Sequence, residues 1–591
     1  MDWEPDGRVI AAANISRVLS DRDLASVDEF HAWSVANRDE FWRSMIDRLG
    51  ILFSVAPAAV STGPARNTRW LPGAQLNIAR SCFQGADDSV AVVYQTKAGS
   101  ASMSVAELRT QVQTCAGGLR RAGIGEGDRV AMAMAMSVES IIGYLALVWV
   151  GATVVSIADS FAAAEIQSRL ALVECETVIT QDEISRGGRR LPMYTKVIEA
   201  GAKRCIVVDT QGNQDLRPQD IAWDDLFVGN PMVEPTIRPV ASHTNLLFSS
   251  GTTGTPKVIP WDHSSAIKAA TDGFLHQDIH PGDVVAWPTN LGWMMGPWLI
   301  YAALLNRATI ALSSEIPTSL GFCQFVTDAK VNVLGVVPAL VRAWRSEPAV
   351  ASLDWSAVRV VTSTGEASAV EDMRWLMGIT GAPVIEYCGG TEIGGGYLSS
   401  TVVEPFDAST FTTPCFGLDI RLFDDGVESS TEGEVFLVPP SIGLSTELLN
   451  RDHQAVYYDG VPASDVPLRR HGDQLRRLPN GHYRAMGRSD DTMNLGGVKV
   501  SSAEIERVVN LVPGVVECAA VGVPPDGGGP DRLVVFAVAP NADPALLQPL
   551  MQAAIRADLN PLFKVAQVRL IESMPRTASA KVMRRTLRDL V

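Results

Sequence analysis

Strand-like runs alternate with amphipathic helical runs along most of the chain, and this alternation restricts the fold more than any other feature. Between residues 90 and 240, the strand-like runs include A-V-V-Y-Q at 91–95 and D-R-V-A-M-A-M-A-M at 128–136. Between these two runs, residues 105–123 follow a helical pattern that ends at Gly123. Alternating strands and helices predict a largely parallel sheet with crossover helices.

The alternation resumes further along the chain and then changes character. V-V-A-W-P at 284–288 is strand-like and W-L-I-Y-A-A-L-L at 298–305 is helical. Beyond about residue 410 the strands shorten and turns become frequent, and roughly the last hundred residues form an α+β pattern. The predicted fold is therefore α/β: a large N-terminal domain with parallel-type sheets flanked by helices, a β-rich subdomain, and a small α+β C-terminal domain.

One uncharged stretch nearly reaches the length of a membrane span. It runs from Ser140 to Ala158 and is interrupted by Gly143, Gly151 and Ser156. Its first part has the composition of a buried helix that ends near Gly151, and T-V-V-S-I-A has that of a buried strand. We therefore expect a helix followed by a core strand, and no membrane span.

Composition excludes several classes of function. The 591-residue chain is 46% hydrophobic and carries a net charge of −16, which argues against a general nucleic-acid binder. Its eight cysteines include no C-x-x-C pair, which favours reduced thiols in a cytosol. The first residues lack a signal-peptide pattern and the final R-D-L-V is not a peroxisomal signal, so we expect a cytoplasmic protein.

The sequence S-S-G-T-T-G-T-P-K at 249–257 lies between two strand-like runs. Backbone N–H groups of such a turn converge on one concavity, and its hydroxyls and Lys257 add donors, so the turn is suited to phosphate. Its register does not match the Walker A spacing, which excludes an ordinary P-loop enzyme. Taken alone, the sequence leaves a phosphate-binding turn and a simple surface hairpin equally open.

Four further motifs follow in order. They are S-T-G-E-A-S at 363–368, Y-C-G-G-T-E-I-G-G-G at 387–396, H-G-D at 471–473 followed by G-R-S-D-D-T-M-N-L-G-G-V-K at 487–499, and P-R-T-A-S-A-K at 575–581. The set resembles the adenylate-forming superfamily. W-L-P-G-A-Q-L-N-I-A-R at 70–80 is similar to the N-terminal segment of the acetyl-CoA and acetoacetyl-CoA synthetase branch, and the other motifs are similar to plant-type acyl-activating enzymes and their bacterial relatives.

This resemblance implies three domains. They are an N-terminal helical preface of acetyl-CoA synthetase type at 1–85, an AMP-binding adenylation domain at 86–489, and a mobile C-terminal domain at 490–591. It also implies ATP, Mg²⁺ and CoA as cofactor and co-substrates.

The resemblance assigns the phosphates of ATP to a small set of side chains. Thr252, Thr253, Gly254 and Lys257 would bind the β- and γ-phosphates, Thr391 the α-phosphate, and Glu392 the Mg²⁺ ion. From the residues alone, a carboxylate after a Gly-Gly-Thr turn is also compatible with simple solvation.

The rest of the nucleotide is assigned in the same way. Asp473 would hold the ribose, although an aspartate among arginines could also only balance their charge. The other nucleotide-binding residues implied by the resemblance are Gly365, Glu366, Ala367, Glu386, Tyr387, Cys388, Gly389, Gly390, Arg488 and Lys499.

The C-terminal motifs imply movement between two half-reactions. Asp490 resembles the hinge of the mobile domain, and Gly496 and Gly497 would border the tunnel for the pantetheine arm of CoA. Lys581 would contact the carboxylate and the α-phosphate during adenylation, and a solvated basic tail is the alternative. Ala580 replaces the glycine found in much of the family.

The acyl pocket carries the specificity. Gly389 stands where the acetyl-CoA synthetase branch has an indole that closes the pocket, which predicts an acid larger than acetate. Trp293, Met294, Met295 and Gly296 are predicted to line the same pocket, with core packing as the alternative.

The sequence thus predicts an AMP-forming acyl-CoA synthetase that takes a small-molecule carboxylic acid. An adenylating ligase that delivers the acyl group to a carrier protein or a partner ligase, on a bulky natural-product acid for example, would share every ATP-binding residue. A luciferase-like oxygenase and a non-catalytic nucleotide-binding relative are further alternatives. Nothing in the sequence favours the oxygenase, and Lys257, Glu392, Asp473 and Lys581 argue against the non-catalytic form.

Overall fold

The computed structural model describes residues 1–96, 99–186, 189–212, 215–229, 231–249, 255–495, 498–523, 531–540, 542–559, 563–576 and 582–591. Two seven-stranded sheets form the centre of the large N-terminal region. In spatial order, the strands of the first sheet are Ile221–Ala222, Arg204–Val208, Thr177–Gln181, Arg129–Ala133, Thr153–Ser156, His243–Ser249 and Lys257–Asp262. Those of the second are Val384–Glu386, Val360–Ser363, Val333–Val336, Val284–Ala286, Thr309–Leu312, Val90–Thr96 and Gly99–Ser104.

Both sheets are parallel except at one edge. The antiparallel edges are the pairs 243–249 with 257–262 and 90–96 with 99–104. The helices connected to these strands are Val105–Arg121, Val138–Trp149, Ala163–Leu172, Met193–Glu199, Ser265–Leu275, Met295–Leu305, Leu320–Asp328, Pro338–Arg345 and Val370–Thr380. This arrangement confirms the predicted α/β fold.

Local sequence explains where several helices begin. Ser104 accepts a hydrogen bond from the backbone N–H of Glu107, whose carboxylate accepts one in return from the Ser104 backbone, so S-V-A-E forms a capping box. Ser501 and Glu504 repeat this arrangement at the helix Ser502–Val509. Such reciprocal bonds satisfy donors that the first helical turn would otherwise leave unpaired.

The uncharged stretch forms the predicted helix and core strand. It covers most of the helix Val138–Trp149, which begins two residues earlier, followed by a turn at Gly151 with φ +80° and the strand Thr153–Ser156. Within the described ranges, no helix is both long and apolar enough to cross a membrane. All eight cysteines lie in those ranges and are free thiols.

The N-terminal segment packs four helices on the main body. They are Gly7–Ala12, Asn14–Asp21, Val27–Ala36 and Arg38–Leu49. Phe30, Phe41 and Trp42 are fully buried, and the ring of Phe30 lies 4.7 Å from that of Phe416. Because each such burial stabilises by about 2–3 kcal/mol, this segment is part of the same core.

A β-rich region follows the second sheet. Cys388–Gly390, Gly395–Ser399 and Thr413–Pro414 form a three-stranded sheet whose first two strands make a hairpin. Beside it is an antiparallel five-stranded sheet with the order Val427–Ser429, Asp419–Asp424, Glu432–Val438, Arg469–Arg477 and Tyr483–Arg488. A short helix at His453–Tyr457 also belongs to this region. Earlier in the chain there are short strands at Phe53–Val55, Ser61–Thr62, Arg69–Trp70, Gln75–Leu76, Ile184–Arg186, Arg189–Leu191 and Arg238–Pro239, and a short helix at Ile78–Ser81.

The C-terminal region is the predicted α+β unit. Its strands are Thr492–Leu495, Val498–Ser501, Glu517–Val523, Arg532–Val538 and Val565–Leu570, and its helices are Ser502–Val509, Pro544–Asp558 and Arg584–Asp589. Arg576 pairs with Val582 across an isolated bridge. The Arg576 guanidinium bonds both to Glu517 within this unit and, at 3.1 Å, to Glu366 of the large N-terminal region. This side chain therefore links the two parts of the molecule.

Candidate active site

One cavity of about 2880 Å³ lies between the second sheet, the β-rich region and the C-terminal unit. Ends of parallel strands commonly supply such ligand crevices. The predicted site residues that line it are Lys257, Trp293, Met294, Met295, Gly365, Glu366, Ala367, Glu386, Tyr387, Cys388, Gly389, Gly390, Thr391, Glu392, Asp473 and Arg488. Gly296 is buried instead, where a Cβ atom would lie 2.4 Å from the Asn290 carbonyl oxygen.

Lys257 and Glu392 meet in this cavity although 135 residues separate them. The Lys257 Nζ atom lies 3.2 Å from Glu392 Oε1 and donates a 3.2 Å hydrogen bond to the Tyr457 hydroxyl. Burial alone would raise the pKa of Glu392, but the charges of Lys257 and His471 lower it to about 2. Glu392 is therefore ionised at neutral pH beside a fixed cation.

The backbone around Glu392 is held from two sides. Thr391–Ile393 forms a single 3₁₀ turn at the tip of the hairpin. The Trp261 indole donates a 2.8 Å bond to the Thr391 carbonyl, and Arg469 donates a 3.2 Å bond to the Glu392 carbonyl. These contacts hold the backbone of Thr391 and Glu392, whose side chains are predicted to contact the α-phosphate and the metal ion.

Asp473 lies on the neighbouring five-stranded sheet. Its carboxylate accepts hydrogen bonds from Arg488 at 3.1 Å and from the Tyr397 hydroxyl at 2.9 Å, and His471 Nε2 lies 3.1 Å away. Burial would raise the pKa of Asp473, but His471 and Arg488 hold it well below its usual value. An ionised carboxylate at a cavity wall can accept two hydroxyl groups of a ribose.

The predicted adenine segment divides into exposed backbone and buried side chains. Gly365 has a φ of +97° in the loop after strand Val360–Ser363, so the chain turns sharply at the cavity wall. The Glu386 carboxyl is buried, which raises its pKa to about 7, although the hydroxyl of Ser368 donates to it. The Tyr387 side chain is 1% exposed and points into the core, so only its backbone can face a nucleotide here.

Gly389 packs closely on the adjacent strand. A Cβ atom at this position would lie 2.1 Å from the Gly395 carbonyl oxygen. Glycine is therefore required at this position by the packing of the hairpin. The sequence analysis considered only the missing indole and did not predict this packing. Trp293, which also lines the cavity and is half-buried, contacts Phe161 edge to face with ring centroids 5.5 Å apart.

Sequence reasoning missed three side chains that shape the site. Arg469 is 1% exposed and stacks 4.2 Å from the ring of Tyr457, which in turn accepts from Lys257. His471 adjoins both carboxylates. The motif R-R-H-G-D contained a signal for Arg469 and His471 because it places charged groups at alternate strand positions, whereas nothing local singled out Tyr457.

Some predicted residues lie outside the described part of the chain. These are Thr252, Thr253, Gly254, Gly496, Gly497, Ala580 and Lys581, together with the side chains of Asp490 and Lys499. Their roles stay predictions.

The ionised, partly buried carboxylate of Glu392 fits a hard cation such as Mg²⁺, which prefers oxygen ligands and usually keeps several waters and substrate phosphates around it. The neighbouring Lys257 is compatible with this role because a phosphate chain would contact both groups.

Comparison with known proteins agrees with this geometry. Residues 79–443 match the family described as AMP-binding enzyme, residues 504–581 the AMP-binding enzyme C-terminal domain, and residues 27–82 the acetyl-coenzyme A synthetase N-terminus. The boundaries that we place at 85/86 and 489/490 stay predictions.

Individual relatives span nearly the whole chain. It is 43% identical to the probable acyl-activating enzyme 17, peroxisomal, of Arabidopsis thaliana and 41% identical to the hexanoyl-CoA synthase of Cannabis sativa, in each case over 99% of this chain and 88% of the relative. The solved structure of acetoacetyl-CoA synthetase from Streptomyces lividans superposes with a TM-score of 0.91 at 26% identity, over 100% of this chain and 95% of that chain. The chain therefore belongs to the AMP-binding enzyme family, in the branch of the acyl-activating enzymes and acetyl-/acetoacetyl-CoA synthetases.

Proposed function

We propose that this enzyme is an acyl-CoA synthetase that activates a carboxylic acid larger than acetate with ATP and transfers the acyl group to CoA. The observation that carries this proposal is the convergence of Lys257, Glu392 and Asp473 on one cavity, whose lining also includes the apolar side chain of Trp293. Relatives named as acyl-activating enzyme and hexanoyl-CoA synthase support both half-reactions.

In the first half-reaction the substrate carboxylate attacks the α-phosphorus of ATP and pyrophosphate leaves. Negative charge then grows on the phosphate oxygens, so a fixed cation and aligned donors lower the barrier. Lys257 supplies the cation within the described residues, and Thr391 supplies a hydroxyl at the hairpin tip. Asp473 and Arg488 hold the ribose end, so that the α-phosphate stays in reach of the acid.

Glu392 is the residue that would hold Mg²⁺, which neutralises charge on the phosphates when bound. The depressed pKa of Glu392 keeps this carboxylate ionised at neutral pH. Lys257 Nζ lies 3.2 Å from Glu392 Oε1, so Lys257 and a Mg²⁺ ion held by Glu392 would act on one region of the phosphate chain.

In the second half-reaction the CoA thiol attacks the acyl carbonyl and AMP leaves. We propose that the C-terminal unit swings about Asp490 between the two steps, with Lys581 acting in the first and Gly496 and Gly497 bordering the thiol's path in the second. A swing lets one cavity present different residues to two reactions.

The acid is apolar and of medium size. Trp293, Met294 and Met295 line the cavity, and Phe161 packs on Trp293, so this wall suits an alkyl chain or a ring. The Cannabis relative is named as a hexanoyl-CoA synthase, and we propose a similar range for this enzyme. Localisation in the cytoplasm stays a prediction, since the Arabidopsis relative is named as peroxisomal.

The test is acid-dependent exchange of labelled pyrophosphate into ATP, with straight-chain acids from acetate to octanoate and with benzoate. We expect exchange to be faster with hexanoate than with acetate, and acetate as the best acid would overturn the size proposal. Adding CoA to enzyme carrying the adenylate should release acyl-CoA and AMP. An adenylate that persists with CoA present would instead favour transfer to a carrier protein or partner ligase.

A further inference from the structure

We propose that Asp272, with Lys268 and Tyr387, is a positioning residue behind the cavity. It would hold two elements in register: the hairpin that carries Thr391 and Glu392 at its tip, and the helix Met295–Leu305, which begins at the apolar wall of the cavity. This inference rests on the proposed function, because it concerns the alignment of the acid with the α-phosphate. None of the three side chains reaches substrate. Their role is exerted through the backbone of the hairpin and through Trp298.

Asp272 lies in the helix Ser265–Leu275 and is 1% exposed. One carboxylate oxygen accepts a 2.6 Å bond from Lys268 Nζ. The other accepts a 2.6 Å bond from the Tyr387 hydroxyl and a 2.8 Å bond from the backbone N–H of Gly396. Three donors on one buried carboxylate join a helix to both strands of the hairpin, since Tyr387 precedes the first strand and Gly396 belongs to the second.

Lys268 makes this arrangement possible. Its side chain is fully buried one turn before Asp272, and the 2.6 Å ion pair compensates each group for the water contacts that it loses in the core. A charged acceptor forms stronger hydrogen bonds than a neutral one, which tightens its hold on Tyr387 and Gly396. The pair is thus suited to rigid attachment.

The Tyr387 hydroxyl extends the connection to the acyl pocket. It accepts a 3.2 Å bond from the Trp298 indole, which lies in the helix Met295–Leu305. That helix begins at Met295 on the apolar wall of the cavity. Burial and the neighbouring Asp272 raise the pKa of Tyr387 well above its usual value, so its hydroxyl keeps its proton and continues to donate.

The glycine run after Glu392 is explained by this cluster. A Cβ atom on Gly395 would lie 2.4 Å from an Asp272 carboxylate oxygen, and one on Gly396 would lie 2.4 Å from the Tyr387 ring. The hairpin therefore packs on the cluster without room to shift. Because Thr391 and Glu392 occupy the tip of this hairpin, loosening its base displaces both from Lys257.

The first test is Tyr387→Phe, which removes only the hydroxyl. The matched control is Tyr194→Phe, which removes another buried hydroxyl that donates to a carboxylate, that of Asp220, from a helix that carries none of the predicted site residues. Melting temperature and acid-dependent pyrophosphate exchange are measured for both. We expect similar melting temperatures, but a kcat for exchange about 10- to 100-fold lower in Tyr387→Phe alone, as for a small misplacement of reacting groups. The KM for ATP should stay within about twofold, because the ribose contacts are intact.

The second test separates folding from positioning. Asp272→Asn leaves Lys268 as an unpaired buried charge and should lower the melting temperature, whereas the double variant Lys268→Met/Asp272→Asn should recover it. Exchange should remain impaired in the double variant. Full recovery of exchange together with stability, or equal kcat values in Tyr387→Phe and Tyr194→Phe, would overturn the positioning role.

Failure of this inference differs from failure of the proposed function. If the wild-type enzyme gives no exchange with any acid, the proposed function fails. If the wild-type enzyme is active and Tyr387→Phe behaves as its control, only the positioning role fails.

Discussion

Lys257 and Glu392 form an ion pair, 3.2 Å between Nζ and Oε1, at the place where the phosphates of ATP are expected. Both side chains are about 15% exposed or less, so the attraction between them is only partly screened. Each is therefore held in place by the other before substrates bind. When ATP and Mg²⁺ bind, a phosphate oxygen can take the place of Glu392 beside Lys257, and the metal ion can take the place of Lys257 beside Glu392. Neither exchange requires the backbone to move.

Removing the cation of this pair should slow the first half-reaction. We expect Lys257→Met to lower the kcat of pyrophosphate exchange by about 10²–10³-fold, the usual effect of losing one fixed donor at developing charge. Arg22→Met, which breaks a more exposed ion pair with Glu40 in the N-terminal helices, serves as the control. Equal exchange rates in the two variants would contradict the role of Lys257.

Removing the carboxylate should act through the metal. Glu392→Gln keeps the shape of the side chain but loses its charge, so we expect a higher Mg²⁺ concentration for half-maximal exchange and a weaker effect of Mg²⁺ on nucleotide binding measured by calorimetry. Glu447→Gln, at a partly exposed contact with His243, is the control. An unchanged Mg²⁺ dependence in both measurements would exclude Glu392 as the ligand.

The two buried glutamates should give opposite pH dependences of stability. The pKa of Glu392 is lowered from 4.5 to about 2, so its contribution is present above pH 4.5 and is lost as the pH falls towards 2. The pKa of Glu386 is raised from 4.5 to about 7, so the contribution of Glu386 to stability is fully present below pH 4.5 and is lost as the pH rises through 7. Glu386→Gln should therefore raise the melting temperature more at pH 8 than at pH 5. The corresponding difference in the free energy of unfolding is at most about 3 kcal/mol. An equal change at both pH values would contradict the raised pKa.

The glycine in the acyl pocket should affect all acids alike. Because a Cβ atom at residue 389 would meet the Gly395 carbonyl at 2.1 Å, Gly389→Ala is expected to slow exchange with every acid and to lower the melting temperature. Trp293→Ala removes an aromatic wall and should instead shift the preference towards longer acids, by about tenfold in relative kcat/KM. A changed acid preference in Gly389→Ala with unchanged stability would contradict the packing role and support the prediction that this residue sets the size of the acyl pocket.

Sequence patterns predicted the sheets and the motif loops of the site because each is a local property. Apolar residues that recur with a period of two indicate strands, and those that recur with a period of 3.6 indicate helices. Motifs such as S-T-G-E and H-G-D lie at strand ends that meet in space. The helix and strand between Ser140 and Ala158 follow from composition in the same way.

Long-range packing could not be predicted from these patterns. The bonds of Asp272 to Tyr387 and Gly396 span more than a hundred residues and depend on how a helix crosses a hairpin. The same holds for Tyr457, which no motif contains, and for the inward direction of the Tyr387 side chain. Only the run of three glycines after Glu392 hinted that something must approach the hairpin closely.

Arg576 makes one contact between the large N-terminal region and the C-terminal unit and a second contact inside the C-terminal unit. Its bond to Glu366 crosses between them, whereas its bond to Glu517 stays within the C-terminal unit. A swing about the predicted hinge would break the first bond and keep the second, so the guanidinium would never lose all its carboxylate partners. Partly exposed pairs of this kind contribute about 0–1 kcal/mol, close to thermal energy. Loss of the Arg576–Glu366 bond would therefore add little to the free-energy cost of the proposed swing, and the retained bond to Glu517 would hold the guanidinium in place.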